Sequence, residues 1–65
     1  MPQHFDREVK NILEESGCRY VRPGKGSHQI WYSPVTKRNF AVPYGIKSRY
    51  TANGVLKDAG LDRKI

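Results

Sequence analysis

The hydrophobic period of this chain changes twice, from helical to strand-like and back, and this order limits the folds open to it. In residues 5–16 the apolar positions recur at i, i+4, i+7 and i+8, the spacing of one helix face. Residues 18–42 contain three short runs rich in β-formers, separated by turn residues. A second helical stripe begins after Thr51. The pattern therefore predicts the order α-β-β-β-α.

Both predicted helices end at a glycine, which readily adopts the left-handed conformation found at helix C-termini. Gly17 follows the first helix and Gly60 follows the second. The next residues, Cys18 and Leu61, are expected to fold back on the last helical turn in a Schellman-type contact. Thr51 is the predicted N-cap of the second helix.

The three middle runs predict an antiparallel meander with strands over residues 18–22, 27–33 and 39–42. We expect an α+β fold in which two helices cover one face of this sheet, and a single domain over residues 1–65, because so short a chain builds only one core. The residues assigned to the covered face are Val21, Ile30, Phe40 and Val42. Those assigned to the open face are Gln29, Trp31 and Ser33.

The formal net charge of +6 is large for 65 residues and favours a polyanionic partner. Aromatic side chains lie between the basic ones, and they can stack on unpaired bases, which suits single-stranded RNA. The residues assigned to RNA binding are Arg22, Lys25, Gly26, Ser27, Lys37, Arg38, Lys47 and Arg49. A solvated charged face with half-buried tyrosines explains the same pattern equally well.

The single cysteine, Cys18, cannot form an internal disulfide or a cysteine-based zinc site. A zinc site combining it with His4 and His28 would require three unrelated positions to converge, so we expect no metal or other cofactor. No apolar run approaches the roughly 20 residues that span a bilayer, and the first residues lack a signal-peptide pattern. We expect a cytoplasmic protein without a membrane partner.

The most specific stretch is residues 24–28, Gly-Lys-Gly-Ser-His. Its glycines let the backbone approach a phosphate, Lys25 supplies a charge and Ser27 a hydroxyl, although an ordinary β-turn has the same composition and the P-loop frame is absent. A histidine can exchange a proton near neutral pH, so His28 is a candidate acid–base group. His28 also shares its parity with Ile30 and Tyr32, which leaves open a core-facing histidine.

These features together resemble the HicA toxins, from the first helix to the last. The residues that carry the resemblance are Gly26-Ser27-His28, Ile30-Trp31-Tyr32, Val42-Pro43 and Leu56-Lys57-Asp58-Ala59-Gly60-Leu61. The resemblance implies a fold similar to the double-stranded-RNA-binding domain and an mRNA interferase from a type II toxin–antitoxin module. It further implies that His28 is the catalytic residue and that a HicB-type antitoxin covers the site.

Relatives often carry a second histidine shortly after the Val-Pro pair, where this chain has Tyr44 and Gly45. The role of that second histidine is therefore not assigned to any residue of this chain. RNA supplies its own nucleophile, the 2′-hydroxyl, and cleavage needs an acid–base pair and a cation near the phosphate. His28 is expected to be one member of the pair and Lys25 the cation, while Tyr32, Tyr44 or a water molecule could be the second member.

Two functions outside catalysis are also compatible with these residues. A non-catalytic RNA-binding module explains the charge and the fold, but gives Gly26-Ser27-His28 no purpose. A protein-interaction domain would show little salt-dependent affinity for RNA.

Overall fold

A computed structural model describes residues 4–65, and these residues have the order α-β-β-β-α. The helices are α1 (Asp6–Glu15) and α2 (Arg49–Asp58), and the strands are β1 (Arg19–Pro23), β2 (His28–Ser33) and β3 (Arg38–Pro43). The strands form one antiparallel sheet in the order β1-β2-β3. The predicted α+β fold with an antiparallel meander is confirmed. The expectation that the domain includes residues 1–3 falls outside the described residues.

The predicted helix endings are confirmed. At the end of α1, the N–H of Cys18 donates to the carbonyl of Leu13 at 2.9 Å, and Gly17 has a φ of 89°. Gly60 ends α2 in the same way, with a φ of 78°. Left-handed glycines allow these reversals without steric cost. Among the described residues, no helix is both long enough and apolar enough to cross a membrane.

The predicted N-cap of α2 is wrong, because Ser48 and not Thr51 occupies that position. The hydroxyl of Ser48 accepts a hydrogen bond from the N–H of Tyr50 at 3.1 Å. The helix therefore begins at Arg49, and Thr51 lies inside its first turn. Both residue types cap helices well, and the extended backbone of Ser48 (φ −122°, ψ 134°) decides between them.

The predicted faces of β2 are reversed. Trp31 is only 3% exposed and Ser33 is fully buried. Trp31 is the Cα partner of Phe40, and Gln29 is the partner of Val42. Residues directly opposite each other in an antiparallel pair share a face, so placing Phe40 and Val42 in the core brings Trp31 and Gln29 to the same side.

Val21 and Ile30, which were expected to pack in the core with Phe40 and Val42, do not lie there. Ile30 pairs with Ala41 and Arg22, so it belongs to the opposite face of the sheet. Val21 is 45% exposed, because the β1–β2 register shifts between Tyr20 and Arg22. Such a bulge breaks the simple alternation on which the assignment of Val21 depends.

The core lies between the helices and the Trp31 face of the sheet, and Ile46 from the β3–α2 loop completes it. Its members are Val9, Ile12, Leu13, Cys18, Trp31, Val42, Ile46, Ala52, Val55, Leu56 and Ala59. The face that carries His28, Ile30 and Tyr32 is therefore left uncovered by the helices.

Ser33 connects the end of β2 to the end of α2. Its buried hydroxyl donates to the carbonyl of Ala59 at 2.6 Å. The same oxygen accepts the N–H groups of Val35 at 3.2 Å and Thr36 at 3.4 Å. One side chain thus satisfies a helix-end carbonyl and organises the β2–β3 turn.

Replacing this serine, in Ser33→Ala, is expected to lower the free energy of unfolding by about 1–3 kcal/mol, because buried polar groups lose their partner. Urea denaturation measures the loss. Ser16→Ala is the control, since the half-buried Ser16 shows no side-chain hydrogen bond in the described part of the chain. Equal stability of the two variants would contradict the role given to Ser33.

Candidate functional site

His28 begins β2 on the uncovered face of the sheet, and its side chain is exposed. The core-facing alternative is therefore wrong: His28 does share its face with Ile30 and Tyr32, but that face is the open one. Its Nδ1 lies 3.2 Å from the carbonyl oxygen of Lys25. A carbonyl can only accept, so this hydrogen bond requires the proton on Nδ1 and leaves Nε2 able to accept another proton.

Residues 24–28 close the β1–β2 hairpin, and both glycines are needed for its shape. The N–H of Gly24 donates to the carbonyl of His28 at 2.9 Å. A Cβ on Gly24 would lie 3.1 Å from Cδ1 of Ile30 and 3.2 Å from the oxygen of His28. Gly26 has a φ of 59°, in the left-handed region. The tight turn places the carbonyl of Lys25 next to the imidazole.

The loop between β3 and α2 packs its main chain against this hairpin. The N–H of Tyr44 donates to the carbonyl of Ser27 at 2.8 Å, which places Tyr44 beside the residue preceding His28. Tyr32 lies four residues further along β2, about 13 Å from His28 at the usual rise per residue. The guanidinium carbon of Arg19 lies 5.7 Å from the centroid of the Tyr32 ring. Of the two tyrosines, Tyr44 has its main chain closer to His28.

Of the basic residues named from the sequence, Arg22 and Lys25 lie at the His28 end of the sheet, and Lys47 and Arg49 follow β3 in the chain. Arg22 is opposite Ile30 in β1, and it therefore shares the open face with His28. Lys25 lies in the hairpin itself. Lys47 lies in the loop after β3, and Arg49 is the first residue of α2.

Lys37 and Arg38 lie at the other end of the sheet, in the turn and strand that follow β2. The six residues of β2 separate this end from His28 by about 17 Å. Lys37 has a φ of 58°, an uncommon conformation for a residue with a side chain, so it forms part of a tight turn. The structure does not bring these two side chains to the His28 hairpin.

The three possible zinc ligands of the sequence do not form one cluster. Cys18 is buried in the core, and the exposed His4 has its Nδ1 3.9 Å from Oδ1 of Asp6. Within residues 4–65, no group of three histidine, cysteine or acidic side chains is arranged to hold a metal ion.

Asp6 is a residue near the His28 end of the sheet that could not be singled out from the sequence. Its two carboxylate oxygens accept the N–H groups of Gly45 and Ile46, each at 2.8 Å. An acidic residue in the first turn of a helix is ordinarily explained by the helix dipole alone. Nothing in its local sequence points to partners about 40 positions away.

The fold and this arrangement define a small, basic α+β protein with an exposed histidine beside a glycine-rich, lysine-bearing hairpin. Residues 7–61, most of the chain, match the family model described as HicA toxin of bacterial toxin–antitoxin, and the chain belongs to this family. It is thus a toxin-family protein of toxin–antitoxin systems, which implies an antitoxin partner. Searches of the curated proteins and of the solved structures found no match.

The hairpin geometry predicts different outcomes for two substitutions at Gly26. Gly26→Ala is expected to lower the free energy of unfolding by about 1–2 kcal/mol, because a Cβ is unfavourable at a left-handed φ. Gly26→Asn should cost less, since asparagine tolerates this region, and a Cβ here meets no neighbour within 4 Å. Chemical denaturation of both variants tests the difference. An alanine variant as stable as the wild type would mean that the turn does not need its left-handed residue.

Proposed function

We propose that this protein is a metal-independent mRNA endoribonuclease, the toxin of a type II toxin–antitoxin system, in which His28 is the general acid/base. We propose further that residues 1–65 act as one HicA-like domain in the cytoplasm, inhibited by a HicB-type antitoxin. The observation that carries the proposal is the exposed imidazole of His28, hydrogen-bonded through Nδ1 to the Lys25 carbonyl, in a chain of the HicA toxin family.

The proposed reaction uses the 2′-hydroxyl of RNA as the nucleophile. Nε2 of His28 accepts the proton of that hydroxyl while its oxygen forms a bond to the adjacent phosphorus. The bond from phosphorus to the 5′-oxygen breaks, and the leaving oxygen takes a proton from an acid. The products are a 2′,3′-cyclic phosphate and a 5′-hydroxyl. Lys25, three residues before His28 in the same hairpin, stabilises the charge that develops on the phosphate oxygens.

The acid that protonates the leaving oxygen would have to lie close to the same phosphate. Tyr44 meets this requirement better than Tyr32, because its main chain contacts Ser27 and Tyr32 lies about 13 Å along the strand. The side chain of Tyr44 is 52% exposed, so it is accessible to a substrate. A water molecule is the other candidate named from the sequence.

The substrate in this proposal is single-stranded mRNA bound along the open face. Arg22, Lys25, Lys47 and Arg49 would contact phosphates near the cleaved bond, together with the main chain of Gly26 and Ser27. Lys37 and Arg38 would contact phosphates further along the strand, because they lie at the other end of the sheet. Affinity should then fall with salt, with a log–log slope of about −0.7 per phosphate contact.

The test of catalysis is cleavage of a labelled single-stranded RNA in EDTA, with wild type beside His28→Ala. Loss of general acid–base catalysis is expected to slow cleavage by about 10²–10⁴-fold, while RNA affinity and melting temperature stay close to the wild type. The matched control is His4→Ala, which removes the other exposed histidine of the chain.

The same assay is repeated on an mRNA that is being translated, which tests whether cleavage requires the ribosome. Binding of RNA by both proteins, with cleavage by neither in either assay, would contradict the nuclease proposal and favour a non-catalytic RNA-binding module. Cleavage by His28→Ala at the wild-type rate would remove His28 from the mechanism.

The antitoxin is expected to stabilise the toxin, because a partner that binds only the folded state shifts the folding equilibrium by mass action. At a free antitoxin concentration about 100 times Kd, the gain is about 2.7 kcal/mol, which raises the melting temperature of a domain this size by on the order of 10 °C. Thermal denaturation with added HicB-type protein measures it. An unrelated protein of equal charge is the control, and no rise at saturation would contradict the assigned partner.

A further inference from the structure

The carboxylate of Asp6 joins the start of α1 to the β3–α2 loop. Oδ2 accepts the N–H of Gly45 and Oδ1 accepts the N–H of Ile46, both at 2.8 Å. Hydrogen bonds from backbone N–H groups to an ionised carboxylate are short and roughly twice as strong as neutral ones. They connect segments 39 and 40 residues apart in the chain.

The loop is shaped to present two successive N–H groups to this one carboxylate. Gly45 has a φ of 68°, and left-handed residues of this kind make neighbouring N–H groups converge on an anion. Next to it, the N–H of Phe5 donates to the carbonyl of Ile46 at 2.7 Å. Ile46 is only 2% exposed, so the end of the loop is also anchored in the core.

The other end of the same loop contacts the hairpin that carries His28. The N–H of Tyr44 donates to the carbonyl of Ser27 at 2.8 Å, and Pro43 is the Cα partner of His28. Gly45, whose N–H donates to Asp6, therefore follows directly in the chain after Tyr44, whose N–H donates to Ser27. Displacing residues 44–46 would remove one of the main-chain contacts next to the imidazole.

We infer that Asp6 is a positioning residue for His28. Asp6 acts on the imidazole through residues 44–46 and the carbonyl of Ser27. Its effect on cleavage rests on the proposed function, whereas its effect on the position of His28 does not. The residues that match the HicA family begin at position 7, so the match assigns no role to Asp6.

Asp6 also lies in the first turn of α1, where any acidic residue interacts favourably with the helix dipole. Glu8 lies in the same turn and is exposed, with no hydrogen bond to the loop within residues 4–65. Glu8→Gln therefore removes the same charge from the same helix end and leaves the loop contacts intact. It is the matched control for Asp6→Asn.

The experiment compares Asp6→Asn with Glu8→Gln by nuclear magnetic resonance and by RNA cleavage. In Asp6→Asn the amides of Gly45 and Ile46 are expected to lose about tenfold or more of their hydrogen-exchange protection. The ring signals of His28 should shift, and the single-turnover cleavage rate should fall about 10- to 100-fold. RNA affinity should stay within about twofold, which separates positioning from binding. Glu8→Gln should show none of these changes.

The result that overturns the inference is loss of protection at Gly45 and Ile46, with His28 signals and cleavage rate equal to those of Glu8→Gln. If the wild type cleaves no RNA, the proposed function fails, and the His28 ring signals still decide the role of Asp6.

A second pair of variants covers the case in which Asp6→Asn does not fold. Gly45→Ala strains the same loop and keeps the carboxylate, since alanine is unfavourable at this φ and the added Cβ meets no atom within 4 Å. Gly45→Asn is its control. The His28 ring signals should shift more in Gly45→Ala than in Gly45→Asn, and unchanged signals in both would overturn the inference.

Discussion

The burial of the Trp31 indole between the sheet and the helices decides which face of the sheet is left open. Trp31 is 3% exposed, and its Nε1–H donates to Oε1 of Gln29, two residues earlier on the same face, at 2.8 Å. The polar edge of the ring is satisfied within the strand, so the large apolar surface can enter the core without an unpaired donor. Since side chains alternate along a strand, burying Trp31 turns His28, Ile30 and Tyr32 outward. The exposure of the histidine is thus a consequence of core packing.

Around that histidine, the site is assembled from segments that are far apart in the chain. The hairpin supplies His28 and Lys25, the β3–α2 loop supplies a main-chain contact to Ser27, and the start of α1 holds the loop through Asp6. A chain of 65 residues buries a limited core, so a few hydrogen bonds are a substantial part of its stability. The hydrogen bonds of Asp6 and Ser33 can therefore stabilise the folded state and also fix the relative positions of the segments they join. A toxin of this size, whose family implies an antitoxin, would also gain stability from its partner.

The features that could be predicted are those that depend on neighbouring residues. The helix endings at Gly17 and Gly60 follow from the conformational freedom of glycine and were confirmed at both places. The order of helices and strands follows from hydrophobic period. The faces of β2 were predicted wrongly because apolar residues occupy both of its alternate sets, Ile30 and Tyr32 on one side and Trp31 on the other. The register of β3 settles this ambiguity, and register depends on packing.

By itself, the sequence determined the α-β-β-β-α order, the large positive net charge and the Gly-Ser-His stretch that resembles the HicA toxins. Each of these depends on composition or on interactions over a few residues, so a reader of the chain can recognise it. Only the tertiary structure decided that His28 faces outward, that Lys37 and Arg38 lie at the far end of the sheet, and that Asp6 binds the loop after β3. Those outcomes require the strand register and the contacts between distant segments, which form when the core packs and are not encoded in any local stretch of residues.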